Sequence, residues 1–245
     1  MEKDLYEAGM VFETANFGRL VIVDYLGWDN VLVRFEDTGY TTRTRSWLIK
    51  TGVVRDNLKP ISYGVGYIGD GPHQTRDGKK RTIEYMHWRS MLDRCYSANT
   101  TELYKQCSVC EEWLNFQNFA QWYKDYVYHK EGWHLDKDIL IKDNKVYSPG
   151  ACTFVPSHIN VVVTSKPKRD LPTGVTLVDG LYKAYISNSK GRMKHLGSYE
   201  NKQSAHKAYI LAKRLQIDEI TNKYKDQIDP RAYDALMSWE ISIDD

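Results

Sequence analysis

The stretch from Cys107 to Asn160 limits what this chain can fold into more than any other, because Trp, Cys, His and Asp are crowded there beyond what a loop or plain amphipathic helix needs. Its first half has a helical period: Trp113, Phe116, Phe119, Ala120, Trp122 and Tyr123 recur at three- and four-residue steps. Its second half reads as extended. Leu135 to Ile139 runs through a turn at Lys142 to Lys145 into Val146 and Tyr147, which Ser148-Pro149 stops. Cys152 to Pro156 and His158 to Val163 then complete a β-turn-β unit with a short apolar segment after it. Side chains two apart on a strand share a face, so His134, Asp136 and Asp138 are expected to project together.

The order and spacing of these residues resemble the phage HNH endonucleases of the ββα-metal type. The resemblance rests on Arg94-Cys95-Tyr96, Cys110 with Glu112-Trp113, Phe116 and Phe119, Leu135 to Ile139, Tyr147-Ser148-Pro149 with Cys152, and Val155-Pro156 with Ile159-Asn160. It implies a metal-dependent endonuclease that hydrolyses a phosphodiester of double-stranded DNA. A divalent cation, Mg²⁺ or Mn²⁺, would stabilise the phosphate while an imidazole activates water. Asp136 or Asp138 would then hold the cation and His134 act as base, with Asn144, His158 and Asn160 completing the site. This chain carries Asp136 where the family signature has its His, and Gly150 and Ala151 where the family often carries polar residues, so the base would have to be His134, two positions away, or be absent altogether. Cys107 and Cys110 form a C-x-x-C knuckle. With Cys95 and Cys152 they supply the four thiolates a structural Zn²⁺ needs, although plain buried thiols are equally compatible with the spacing.

A second resemblance lies further on. Gly174-Val175, Tyr182-Lys183-Ala184-Tyr185-Ile186, Leu196-Gly197-Ser198-Tyr199, and Ala205 with Ala208-Tyr209 look like an AP2 domain, a three-stranded sheet backed by a helix. Alternation puts Tyr182, Ala184 and Ile186 against that helix, whose apolar stripe would be Ala205, Ala208, Tyr209, Ala212 and Leu215. The other sheet face would meet DNA through Lys183, Tyr185, Ser187, Arg192, Lys194 and His195, cations at phosphates and rings at base edges. Charge agrees: Lys166 to Lys225 holds thirteen Lys and Arg against five Asp and Glu, whereas Asp226 to Asp245 holds one Arg against six acids.

The rest of the chain reads more plainly. With 245 residues, 42% of them hydrophobic, there is material for two or three small domains. There is no run of eighteen apolar residues and Met1 to Gly9 is charged, so neither a membrane span nor a secretory leader is expected, and the compartment is expected to be cytoplasmic. Gly9 to Leu58 is β-rich, with strands at Phe17 to Tyr25 and Val31 to Phe35, a third from Thr38 and a fourth at Leu48 to Val54, which fits a five-stranded SH3-like barrel. Such barrels serve many roles, and Arg34, Arg43 and Arg45 suit phosphate contact and ordinary solvation alike. Glycine and proline crowd Ile61 to Lys80, which reads as a linker whose basic end, Arg76 to Arg81, could track a DNA backbone. A helix over Thr82 to Tyr96 presents Tyr85, Trp88, Met91, Leu92 and Cys95. Asp229-Pro230 opens a last helix.

The expected class is therefore α+β and multidomain. A barrel occupies 1–60, a linker 61–80, an HNH-like domain 81–165, a linker 166–172, an AP2-like module 173–225 and an acidic helix 226–245. Double-stranded DNA is the expected partner, with a homodimer or a host protein left open and no membrane. A catalytically inactive DNA-binding regulator or inhibitor of a host enzyme is the alternative. The acidic tail could fold back, contact another subunit or ward off non-specific DNA.

Overall fold

The computed structural model describes residues 6–163, 170–187 and 191–241. The chain is a mixed α and β protein with several small sheets. It divides into two compact units, 1–125 and 126–245. That division cuts through the 81–165 stretch expected to be one domain.

In the first unit, β1 (Val11–Thr14), β2 (Gly18–Tyr25), β3 (Val31–Phe35) and β4 (Thr41–Thr44) form an antiparallel sheet in chain order. Leu20 and Ile22 on β2 and Val31, Val33 and Phe35 on β3 are buried, as period-two alternation requires of one inward face. The sheet stays open, so the expected five-stranded barrel does not close. The segment read as its next strand, Leu48 to Val54, instead contributes to α1 (Ser46–Lys50), which drops Ile49 into the sheet core. Gly52 ends that turn at φ +67, a left-handed position glycine takes without strain, and its amide caps the Ile49 carbonyl. A short apolar run does not reveal its period, and here the glycine stop decides.

The stretch expected to be a linker is packed. Ser62 bridges Gly66 and Tyr67 bridges Asn115. A Cβ on Gly66 would lie 2.5 Å from Leu92 Cδ1 and 2.9 Å from Trp88 Cζ2, so the glycine is there for close approach. The strap ends in a hairpin of β5 (Arg76–Asp77) and β6 (Lys80–Arg81). Next comes α2 (Ile83–Tyr96), which buries Trp88, Met91, Leu92 and Cys95 as its period predicts. Following β7 (Ser108–Val109), the aromatic run makes α3 (Glu111–Leu114) and α4 (Phe116–Asp125). The break between them comes from the strap: the Leu114 carbonyl accepts from Tyr67 N–H and the Phe116 amide donates to the Tyr67 carbonyl. Trp88 Nε1 donates to the Trp113 carbonyl at 2.7 Å, so one of the two fully buried tryptophans satisfies its donor, while Trp113 Nε1 has no hydrogen-bond partner among the described residues.

In the second unit, β8 (Trp133–Asp136) pairs antiparallel with β10 (Thr153–Pro156). The intervening β9 (Val146–Tyr147), read as the hairpin's second strand, is not the partner of β8. The chain continues straight into α5 (Ser157–Val163). Residues 164–169, most of the expected second linker, lie outside the described residues.

Then β11 (Val175–Val178), β12 (Leu181–Ser187) and β13 (Met193–Tyr199) form an antiparallel sheet in that order. It is covered by α6 (Lys202–Lys223), where Val175 and Ala184 meet Ala205, with Tyr182, Leu196 and Ala208 around them. Leu215, expected in the stripe, is 70% exposed. At 22 residues α6 outruns the sheet, so its C-terminal half packs elsewhere in the unit.

That half meets α7 (Pro230–Met237), capped by Asp229 through the Arg231 amide. Arg214 donates to the carbonyls of Leu236 and Trp239, so the acidic tail folds back, the first of the three alternatives, as far as Ile241. Asp244 and Asp245 lie outside the described residues.

Candidate nucleic-acid interface and hairpin site

Two places carry the chemistry, both in the second unit. The first is the sheet face turned away from α6. Register sets its membership: Thr176 and Ser198 flank Lys183 on either side, and His195 opposes Tyr185. An irregularity in the pairing between Ala184 and Tyr185 leaves Leu196 unpaired, so the inward and outward positions of β13 switch there. The extra residue brings His195 onto the outer face, where its ring lies 5.1 Å from that of Tyr185. Ser198 Oγ stands 3.4 Å from His195 Nε2.

Lys183, Tyr185, Ser187 and His195 are thus brought together as expected, and Arg192 stands at the mouth of β13. Lys194 is not among them. It opposes Ile186, on the side facing the helix. Ser198 was missed, and the glycine at 197, which opposes Ala184 at φ +148, was the available signal that strand parity would break. Tyr209 underlies the module's entry: a Cβ on Gly174, already at φ +79, would come within 2.1 Å of that ring.

The second place is the strand pair with α5. Trp133 and Leu135 are buried and His134 is exposed, so β8 presents His134 and Asp136 on one side, opposite Val155 and Thr153. Asp138 does not join them. The strand ends at Asp136, whose Oδ1 accepts from the amides of Asp138 (2.7 Å) and Ile139 (2.8 Å) and turns the chain. Asp138 beyond that turn is ion-paired with buried Lys137. Burial pushes the Asp136 carboxyl up from its ordinary value and Asp138 adds to the effect, while the two amide hydrogen bonds pull the other way.

The remaining expected residues are also engaged. Asn144 donates to the carbonyls of Lys137 (2.8 Å) and Val146 (2.7 Å) and accepts from the Val146 amide, so it knits the turn. His158 on α5 packs its ring 5.0 Å from Tyr224 of the helical extension. Burial, with Lys223 nearby, lowers its pKa. Asn160 sits half-buried on α5.

Of Asp136 and Asp138, either expected to hold a divalent cation with His134 as base, the structure keeps Asp136 on the His134 side of β8 and turns Asp138 away. Asp138 is neutralised by Lys137 and Asp136 has one oxygen committed to backbone, which leaves the other oxygen and the exposed His134. Among the described residues no three His, Cys, Asp or Glu side chains come together as a metal site. Of the cysteines expected to hold zinc, Cys95, Cys107 and Cys152 are buried and Cys110 is half-buried, none is in a disulfide, and burial raises the pKa of Cys110.

Sequence reasoning missed a buried polar knot beside the strand pair. The Tyr126 hydroxyl bonds Thr153 Oγ1 at 2.8 Å and donates to Asp229 Oδ2 at 2.9 Å. Asp229 also takes the Arg231 guanidinium at 2.7 Å. Tyr126 and Asp229 are 103 residues apart, so no local pattern signals the pairing. No protein-family model, curated protein or solved structure matches the chain.

Proposed function

We propose that this chain is a DNA-binding protein built on HNH-endonuclease architecture, with the outer face of the β11–β12–β13 sheet as its docking surface. The observation that carries the reading is the shared outward placement of Lys183, Tyr185 and His195 on a sheet whose other face is filled by α6. Three strands span about 10 Å between their outer members and the major groove is about 12 Å wide, so the outer face can present its side chains to the base edges. Lys183 and Arg192 neutralise phosphates and the Tyr185–His195 pair meets base edges. The α6 extension against α5 and α7 then holds the sheet fixed relative to the strand pair.

The test is fluorescence anisotropy with labelled duplexes at several salt concentrations. The Lys183→Ala/Tyr185→Ala variant loses about 1–3 kcal/mol for each contact to a base and has a shallower salt slope. Unchanged affinity and slope in a folded variant remove the reading.

A second reading, phosphodiester hydrolysis, is favoured by the strand–strand–helix order of β8, β10 and α5 and by the exposure of His134. In it His134 takes the proton of the attacking water. Nicking of supercoiled plasmid in Mg²⁺ or Mn²⁺, abolished by His134→Ala and by Asp136→Ala, establishes it. DNA that is bound and left uncut under both ions leaves a binding protein acting as a regulator or inhibitor.

A further inference from the structure

The first unit contains a cleft of about 760 Å³ lined by the β1–β2 turn, the segment after α1, the strap and the β5–β6 hairpin. Its volume falls within the range of small-ligand sites, roughly 300–1,000 Å³. Three arginines from separate parts of the chain line it: Arg55 after α1, and Arg76 and Arg81 from the two strands of the hairpin. All three are exposed, and among the described residues no carboxylate pairs with any of them. Asp56 also lines the cleft, but its oxygens are taken by the Thr38 hydroxyl at 2.6 Å and the Leu58 amide at 2.9 Å. Counting its charge, the lining still has an excess of two positive charges.

An independent feature points the same way. Arg76 and Arg81 are direct partners across the two-stranded ribbon. Like charges placed opposite each other destabilise a strand pair, and only the ribbon's other pair, Asp77 with Lys80, offsets the cost. An anion between the two guanidinium groups turns that repulsion into two charge-assisted contacts. Exposed Lys79 at the tip adds a further positive charge, Lys80 being matched by Asp77 across the ribbon. Phe17 and Tyr85 add aromatic surface to the walls, suited to a sugar or base beside the phosphate.

We propose that this arginine-lined cleft binds the phosphodiester backbone of a nucleic acid, a second contact separate from the sheet face. Arg55, Arg76 and Arg81 each take a phosphate, and the aromatic walls accept the attached nucleoside. The inference goes beyond the sheet reading, because it concerns the 1–125 unit and survives if the sheet binds nothing.

The experiment titrates the full-length protein with duplex and with single-stranded oligonucleotides of one sequence across a salt series. It compares wild type, Arg55→Ala/Arg76→Ala/Arg81→Ala, Arg76→Gln alone, and Lys183→Ala/Tyr185→Ala. Far-UV circular dichroism and thermal melting confirm the fold of each. Loss of three phosphate contacts lowers the slope of log K against log salt by about 2.7 on duplex or about 2.1 on single strand, and Arg76→Gln alone lowers it by about a third of that. The arm that shows the change tells which form of nucleic acid the cleft takes. Should the triple variant fail to fold, Arg76→Gln carries the test. Slopes unchanged in both arms overturn the proposal. If the cleft variants lose affinity while Lys183→Ala/Tyr185→Ala does not, the sheet reading falls and the cleft stands; the reverse pattern removes the cleft and keeps the sheet.

Discussion

Changing Tyr126 to Phe deletes one oxygen that joins three parts of the 126–245 unit. Because the hydroxyl proton goes to the Asp229 carboxylate, the shared hydrogen bond with Thr153 must be donated by Thr153. Thr153 is fully buried and Asp229 is 3% exposed, so neither turns to water when the oxygen is gone. A hydrogen bond to a charged group contributes about 1.5–3 kcal/mol and a neutral one about 0.5–1.5 kcal/mol, so Tyr126→Phe should cost about 2–4 kcal/mol.

Asp229→Ala is more disruptive because it also removes the α7 cap, worth about 1 kcal/mol. The Arg231 pair adds little, since that side chain is more than half exposed. A double-mutant cycle cancels the cap and the Arg231 terms and leaves a Tyr126–Asp229 coupling of about 1.5–3 kcal/mol.

Acid provides a further check. Burial works to raise the Asp229 pKa, but hydrogen bonds from Arg231 and Tyr126 outweigh it and hold the carboxyl below its ordinary value. A group whose folded pKa is depressed stabilises fully above its unfolded pKa, about 3.9 for Asp, and loses that contribution as pH falls through the folded value. The coupling should therefore be constant near neutrality and fade in strong acid. Urea unfolding followed by far-UV circular dichroism supplies the four free energies. A neutral-pH coupling below about 0.5 kcal/mol, the limit of ordinary additivity, refutes the reasoning.

Other consequences are more local. Gly66→Ala forces a methyl group into Trp88 and Leu92 and should destabilise the first unit by about 1–3 kcal/mol, while Gly150→Ala, with open space around it, should stay within about 0.5 kcal/mol in the same urea titration. Asn144→Ala leaves the turn carbonyls of Lys137 and Val146 without their donor and should cost about 1–3 kcal/mol by thermal melting, with Asn144→Asp failing to rescue because it cannot donate. The lowered His158 pKa makes stability fall as pH drops from about 6.5 through the folded value, so His158→Gln should flatten that part of the stability–pH profile.

The longer helical segments were legible because each carries its own period, as the short α1 does not. The stripe Trp88, Met91, Leu92 and Cys95, and the aromatic run from Trp113 to Ala120, are buried where their spacing puts them. The three strands of the second sheet lie where the alternation of Tyr182 to Ser187 and the neighbouring motif residues put them. Readings that depended on a partner distant in sequence fared differently. The segment 61–80 has the composition of a linker, yet its glycines let backbone lie against Trp88 and Leu92, a use that composition cannot distinguish from flexibility.

At the candidate site the same limit applies. Alternation correctly placed His134 and Asp136 together but carried the strand two residues too far, because an aspartate that accepts backbone amides ends a strand without any change in hydrophobic pattern. Lys194 moved to the helix side because one unpaired residue reverses every later parity. The sequence by itself determined most of the longer helices and strands and their apolar faces, since these depend on neighbours within about one turn or one strand, but not short runs such as Leu48 to Val54 or the far end of the α6 stripe at Leu215. Tertiary structure alone decided that β8 pairs with β10, that Lys137 neutralises Asp138, and that Tyr126 meets Asp229 across the unit. The physical reason is that a charge or a hydroxyl takes the partner that folding brings within hydrogen-bond distance, and no local pattern encodes that partner.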